Sequence, residues 1–510
     1  MDTRSSAQAA VPGGVVRAED GAVSRGWGGL DPEQFRIYGK QVIDWIADYL
    51  ANAERYPVLS PLHPGDVKRQ LPAEPPQRPE LMDAILADFD RVILPGITHW
   101  NHPGFFAYFA ISGSAPGILG ELLSAALNVN GMLWRTSPAA TELEDVVMDW
   151  LRQMIGLPPA FEGVITDTAS VSTLIAIVAA REALDRRVRE DGLAGRADVP
   201  RLRLYCSEQA HSSVEKAGIV LGLGQAGVRK IPVDDEFRMR PDLLAAAVDE
   251  DRRAGWLPFS VVATVGTTST TSIDPVAAIA DLCARERLWL HVDGAYGGMA
   301  AIVPEMRRVL DGCERADSVV VNPHKWLFTP IDCSAFYTRH VDTLKRAFSL
   351  VPEYLRSADG DVKNYMDYGI QLGRRFRALK LWFVIRSYGV EGLATHLREH
   401  CRVAREFAAW IDADPSFERL APVPLSAVCF RYHPQGVDDE ADLERLNSRL
   451  LDAVNATGHV FLSHTKLNGK YIVRLAIGNV GSTKKHVTQA WAILKEQAAR
   501  LAASLSMRHS

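Results

Sequence analysis

LWLHVDGAYGG, residues 288–298, and DSVVVNPHKW, residues 317–326, decide the fold between them. Each is an apolar run of strand length that ends on a residue such a run should not carry: Asp293 in the first, Lys325 in the second. Runs without polar alternation read as strands buried on both faces, the habit of a parallel sheet covered by helices. PEMRRVLDGCE (304–314) lies between them and can supply a crossover helix. The separation is that of one βαβ unit, about 30 residues. Ligands of open parallel sheets bind outside the carboxyl ends of the strands. Asp293 and Lys325 are therefore expected to face one cavity.

The same pattern extends on both sides. RLRLYCS (201–207) and SVVATVG (260–266) are further apolar runs with helical stretches between them, so the middle of the chain reads as an α/β domain with a mostly parallel sheet. TELEDVVMDWLRQMIG (141–156) reads as a helix, with Thr141 and Glu144 at capping-box spacing and Leu143, Val147, Trp150, Leu151 and Met154 on one face. From Asp31 onward, Phe35, Tyr38, Val42, Trp45, Ile46 and Tyr49 recur at helical spacing. Residues 57–79 are proline-rich and read as an extended arm long enough to wrap a neighbour. Beyond about residue 380, amphipathic helices alternate with SAVCFRY (426–432) and YIVRLAIG (471–478), as in a smaller α+β domain. The expected division is a disordered extension over 1–30, an N-terminal helical arm and dimerisation segment over 31–113, a large domain over 114–380 and a small C-terminal domain over 381–510.

Composition narrows the function. A chain of 510 residues, 47% of them hydrophobic, can bury a large core. A net charge of −5 suggests neither a nucleic-acid nor a membrane partner. No apolar stretch has the length of a membrane span, and the N-terminus lacks a signal-peptide pattern. The six cysteines are scattered without zinc or redox spacing, which fits a reduced, cytoplasmic setting. HVD (291–293) has no third ligand nearby, so no metal is expected. GLGQAG (222–227) matches a nucleotide-binding glycine pattern, but helical sequence precedes it and a strand-like run follows, the reverse of the order that fingerprint needs.

A carboxylate and a lysine in one cavity have two readings. A plain ion pair is one. Pyridoxal phosphate is the other: its aldehyde bonds covalently to a lysine, and its ring nitrogen needs an acid partner to stay protonated. Desolvation also lowers a lysine pKa and leaves more free amine to react. Three more segments fit the second reading. TDTASVST (166–173) would set backbone N–H groups and Ser170 at a helix N-terminus, which favours phosphate, although an ordinary helix cap uses the same residues. SEQAHSSVEKAG (207–218) puts His211 just past a strand end, where a flat imidazole can stack on a ring or serve a structural role. ATVGTTSTTSIDP (263–275) offers Thr268 as a hydroxyl partner.

HPGFFAYF, SPAATELE, MDWL, SEQAHSSVEKAG, VATVGTTSTTSID, LHVDGAYGG, NPHKWL, DCSAFY and LGRRFRALKLWFVIR occur in this order. In them the chain resembles the group II pyridoxal-phosphate-dependent amino-acid decarboxylases, and most the aromatic-L-amino-acid decarboxylases. The resemblance runs from about residue 31 into the C-terminal region. It implies fold type I, an L-amino acid as small-molecule substrate, and a homodimer whose sites are shared between subunits. It makes Lys325 the covalent anchor, Asp293 the partner of the ring nitrogen, and His211 the residue stacked on the ring. It assigns Ala169, Ser170, Asn322 and His324 to the phosphate, Thr268 to the cofactor, and Ala295 to the space under the ring. SLVPEYLRSADGD (349–361) resembles the family's catalytic loop, and Tyr354 matches the tyrosine that protonates the substrate carbon after CO2 leaves. Relatives with phenylalanine there tend toward aldehydes, so this tyrosine implies the amine.

The chain also departs from the family. Ile111, in AIS after HPGFFAYF, replaces the threonine by which animal members reach a catechol, and Met132 replaces an aromatic residue. Asp167 and Thr168 stand where glycine and serine are common. Gly373 stands where histidine decarboxylases tend to carry serine, and leaves room for a larger ring. Trp100, Tyr108 and Phe109 also point to an aromatic or bulky apolar substrate. Arg135, if it faces the cavity, would instead suit glutamate or aspartate; the other reading puts it at an interface or on the surface.

Overall fold

Seven short strands pair into one sheet, largely buried except for the edge strand Val228–Ile231, which carries Arg229 and the exposed Lys230. They are β1 (Glu162–Thr166), β2 (Leu202–Ser207), β3 (Val228–Ile231), β4 (Leu257–Thr264), β5 (Trp289–Asp293), β6 (Ser318–Val321) and β7 (Ser334–Thr338), in the spatial order β1-β7-β6-β5-β4-β2-β3. Strands β3, β2, β4, β5 and β6 run parallel, and β7 is antiparallel to both β6 and β1. The structure, a computed structural model, describes residues 29–350 and 362–506. Among these residues no helix is long and apolar enough to cross a membrane.

The link from β5 to β6 differs from the expected crossover helix. It consists of 3-10 segments, Gly297–Ile302, Pro304–Leu310 and Cys313–Arg315. The small residues after Asp293 explain this. A Cβ on Gly298 would come within 2.5 Å of Val321 Cγ1, and one on Gly297 within 2.6 Å of the Val265 carbonyl oxygen. The chain hugs the sheet edge where an α-helix would stand off. The helix expected from residue 141 starts earlier, as Pro138–Ile155, with Ser137 Oγ accepting from Ala140 N at 3.3 Å. The Thr141–Glu144 capping box does not form, because both residues lie inside the helix. Thr141 bonds back to the Ser137 carbonyl, and buried Glu144 takes the Ile165 amide and the Arg374 guanidinium.

A four-stranded antiparallel sheet follows in the chain: β8 (Phe417–Arg419), β9 (Ala427–Tyr432), β10 (Ser463–Leu467) and β11 (Lys470–Ala476), ordered β10-β11-β9-β8. The helices Arg377–Asp412, Glu440–Asn455 and Lys484–Ser506 accompany it, and Gly389, at φ 63°, breaks the first of them. Its own core gathers Phe407, Phe430, Leu450, Val473 and Leu494. The strap that carries HPGFFAYF joins this part of the chain: Phe106 N donates to Phe461 O, and Ala476 N to Phe106 O, both at 2.9 Å.

The described chain forms two compact units, residues 29–52 with 72–91, and residues 53–71 with 92–506. In the first, the helix Pro32–Ala51 is capped by Asp31, and Trp45 stacks on Tyr49 and meets Phe89 edge-on. Within the second, the proline-rich arm begins on its own chain: Val58 is fully buried, and its N–H donates to Gly458 O at 2.8 Å.

Candidate active site

β5 and β6 end side by side, and their last turns carry the two residues the sequence singled out. Asp293 closes β5 and is buried; its Oδ1 accepts from Ala295 N at 3.0 Å. Lys325 sits in the single helical turn Pro323–Trp326 after β6. Trp326 clamps that turn: its indole stacks on Tyr296 at 4.5 Å and its Nε1–H donates to His400 Nδ1 at 3.0 Å. The large apolar neighbour of Lys325 is thus an anchor for the turn, and leaves the amine free to point away from the core.

One cavity of about 400 Å³ joins these groups. Lys325, Asp293, His211, Thr268 and Ala295 line it, together with Ala169, Ser170, Asn322 and His324. Every cofactor residue expected from the sequence therefore reaches the same space. The plain ion-pair reading fails: among the described residues no carboxylate stands in ion-pair contact with Lys325. Burial lowers the lysine pKa, opposed by the attraction of Asp293 and aided by the repulsion of Arg474. His211 caps the helix Ser212–Val220, its Nδ1 accepting from Ser213 N at 3.2 Å. Its one ring proton therefore sits on Nε2, and desolvation keeps its pKa below the ordinary value. At the opposite end, the helix Ala169–Glu182 points its N-terminus at the cavity, where the first N–H groups have no intrahelical partner.

Asp167 does not crowd this N-terminus. Its Oδ1 accepts from Thr168 N at 2.6 Å and its Oδ2 from Gln371 Nε2 at 3.2 Å, so the carboxylate is tied back, and it is absent from the cavity lining. An amine able to bond an aldehyde, an acid for a ring nitrogen and a helix N-terminus for a phosphate are the donor set of pyridoxal phosphate, and the cavity has the volume for it.

Sequence reasoning missed Arg474. This residue of β11 is buried and lines the cavity. Its Nε donates to Ser269 O at 2.8 Å, Nη1 donates to Tyr108 O, and the guanidinium lies 4.4 Å from the Phe109 ring centre. Among the described residues Nη2 has no hydrogen-bond partner. A signal existed: Arg474 is the one charged residue in the otherwise apolar run YIVRLAIG.

Of the expected substrate residues, Tyr108 and Phe109 line this cavity, and Phe109 stacks on Tyr296 at 3.8 Å. Trp100, Ile111, Met132 and Gly373 do not line it. Met132 and Gly373 lie near each other, linked through Asn130, whose Nδ2 is 3.5 Å from Met132 Sδ and 3.8 Å from the position of a Gly373 Cβ. Arg135 is exposed and outside the cavity. Tyr354 lies outside the described residues.

The family model of the pyridoxal-dependent decarboxylase conserved domain matches residues 64–433, and the chain belongs to that family. It is 43% identical over 483 residues to a phenylacetaldehyde synthase of Arabidopsis thaliana, covering 92% of this chain and 97% of that protein. It is 42% identical to tyrosine decarboxylase 4 of Petroselinum crispum, covering 92% of this chain and 94% of the relative. Among solved structures, Oryza sativa TDC with PLP and tryptamine superposes with a TM-score of 0.90 at 38% identity, over 93% of this chain and 100% of that one. The fold is that of the fold type I decarboxylases, and the chain is a pyridoxal-dependent amino-acid decarboxylase.

Proposed function

We propose that this enzyme removes the α-carboxylate of an aromatic L-amino acid as CO2 and releases the amine. The observation that carries the proposal is the single cavity in which Lys325, Asp293 and His211 meet the N-terminus of the Ala169 helix beside the aromatic wall of Tyr108 and Phe109. Bound pyridoxal phosphate supplies an electron-poor ring that accepts the electron pair left behind as CO2 departs. Lys325, its amine favoured by burial, holds the cofactor covalently and later frees the product. Asp293 would keep a proton on the ring nitrogen, its carboxylate steadied by the bond from Ala295 N. His211 would pack against the cofactor and offer its Nε2–H to the substrate. Arg474 adds a desolvated positive charge that pairs with no carboxylate among the described residues, suited to an anionic group of the substrate. Tyr354 returns a proton to the α-carbon.

The aromatic preference draws support from the names of the relatives and from Tyr108 and Phe109. Ile111, Met132 and Gly373, which do not reach their own chain's cavity, would shape that of a second copy, so the active form is a homodimer. Exposed apolar side chains agree with this. The helix Ala115–Leu127 shows Leu119, Leu122, Leu123 and Leu127 to solvent, and in the other unit Phe35 and Ile37 are exposed. All six cysteines are unpaired, which favours the cytoplasm.

A second reading, decarboxylation with oxidative deamination to the aldehyde, rests on the phenylacetaldehyde synthase among the relatives. A third, an acidic substrate, would now depend on Arg474 rather than Arg135. Reconstitution with pyridoxal phosphate, borohydride reduction and peptide mapping tests the site. The label should fall on Lys325; a label elsewhere, or none, would refute the assignment.

A further inference from the structure

Asp167 stands one residue before the N-cap of the helix Ala169–Glu182, whose first turn meets the cavity. Three donors place its carboxylate. Oδ1 accepts from Thr168 N at 2.6 Å and from Thr168 Oγ1 at 3.3 Å, and Oδ2 accepts from Gln371 Nε2 at 3.2 Å. An ionised carboxylate only accepts, so the direction of each bond is fixed, and so is the orientation of the Gln371 amide.

This arrangement takes donors away from the helix N-terminus. Thr168 lines the cavity, yet its N–H and its hydroxyl are both turned to Asp167. The Thr168 carbonyl in turn takes the N–H groups of Val171 and Ser172, which leaves those of Ala169 and Ser170 for an anion. The arrangement also leaves a charge in place. The bond from Gln371 keeps Asp167 out of the cavity but does not neutralise it, because an amide carries no charge. Arg377 is drawn toward Asp167, but its guanidinium is bonded to Asp332, Nε to Oδ1 at 2.8 Å. The polar side chains behind the helix, Thr166, Ser172, Ser334, Asn322 and His324, are hydrogen-bonded one to the next and carry no charge at neutral pH, burial holding the His324 pKa at about 3. Asp167 therefore sets a negative charge beside a place built for another one, and like charges in a partly desolvated site repel over several ångströms.

We infer that Asp167 holds down the phosphate affinity of this cavity: it withholds the Thr168 donors and repels the anion, so that bound cofactor exchanges with cofactor in solution, and Gln371 limits the effect by tying the carboxylate back. The inference rests on the pyridoxal phosphate reading for the identity of the bound molecule, but the effect on inorganic phosphate belongs to the protein alone.

The test is equilibrium binding of pyridoxal phosphate, pyridoxal and inorganic phosphate to the full-length protein freed of cofactor. Asp167→Asn keeps the size of the side chain and an acceptor for Thr168 N–H, and removes the charge. It should bind pyridoxal phosphate and inorganic phosphate about tenfold more tightly than the parent, with pyridoxal, which has no phosphate, bound as before. Asp167→Gly also returns the Thr168 donors and should tighten phosphate binding at least as much. Gln371→Ala frees Oδ2 to swing toward the helix and should weaken phosphate binding about fivefold in the parent, yet change it less than twofold in Asp167→Asn. Phosphate binding that is unchanged or weaker in both Asp167 variants overturns the inference. So does an equal gain for pyridoxal, which would place the effect on the ring and not on the phosphate. If the parent takes up no pyridoxal phosphate while inorganic phosphate binds and follows the same order among the variants, the cofactor reading fails and the role of Asp167 stands.

Discussion

The two ends of the cavity treat their buried polar groups in opposite ways. Beside the Ala169 helix, the polar side chains from Thr166 to His324 satisfy one another before any ligand arrives. On the wall built by the small sheet, Arg474 is equally buried, yet among the described residues its Nη2 has no hydrogen-bond partner and no carboxylate pairs with it. A satisfied network holds a shape, whereas an unpaired buried cation is expensive unless something binds it. On the proposed reading, the satisfied part of the site would hold the cofactor and Arg474 would receive the substrate.

The largest effect should come from the group both ends serve. Lys325→Ala should lower amine formation by roughly four orders of magnitude or more, as loss of a covalent nucleophile does elsewhere; near-normal steady-state turnover would break the scheme. On the proposed reading, Asp293→Asn removes the charge that would keep the ring nitrogen protonated and should lower kcat by about 100-fold or more at saturating cofactor. Arg474 sharpens the contrast. Arg474→Met should lower kcat/KM by about 10- to 100-fold, chiefly through KM, while cofactor affinity changes little, and Arg474→Lys should recover part of the loss. A variant that loses cofactor instead would put Arg474 at the other end of the site.

The smallest effect concerns stability. Burial holds His102 and His291 at about pKa 4 and His324 and His400 at about 3. Unfolded, these rings take up protons near the ordinary 6.5, so below that pH the unfolded state binds more protons and stability falls toward pH 4. Buried Asp274, raised to about 6, acts in the opposite sense above its ordinary 3.8, but it is one group against four. The melting temperature should therefore drop by several degrees between pH 7 and pH 5. A flat profile in scanning calorimetry would show that these rings are not held neutral.

Much of this was legible in the sequence because strand ends are punctuated. Asp293 and Lys325 broke apolar runs, and the structure brings both to one cavity with the neighbours whose motifs the sequence carried. What escaped was non-local. Arg474 lies 149 positions after Lys325 in the numbering, and only the folding of the small sheet onto the strap at Tyr108 brings it to the cavity. Asp167 looked misplaced beside a phosphate because its partner, Gln371, is equally remote in sequence. The crossover after Asp293 read as a helix because close approach of Gly298 to Val321 has no signature in periodicity.

The most direct test of the central claim is product analysis with the purified enzyme supplied with pyridoxal phosphate. Tryptophan, 5-hydroxytryptophan, DOPA, tyrosine, phenylalanine, histidine, glutamate and aspartate would be offered in turn. CO2, amine, aldehyde, peroxide and oxygen uptake would be followed together. The account predicts CO2 and amine in equal amounts from one or more aromatic amino acids, without oxygen uptake. Turnover of glutamate or aspartate alone, or aldehyde with ammonia and peroxide in place of amine, would contradict it.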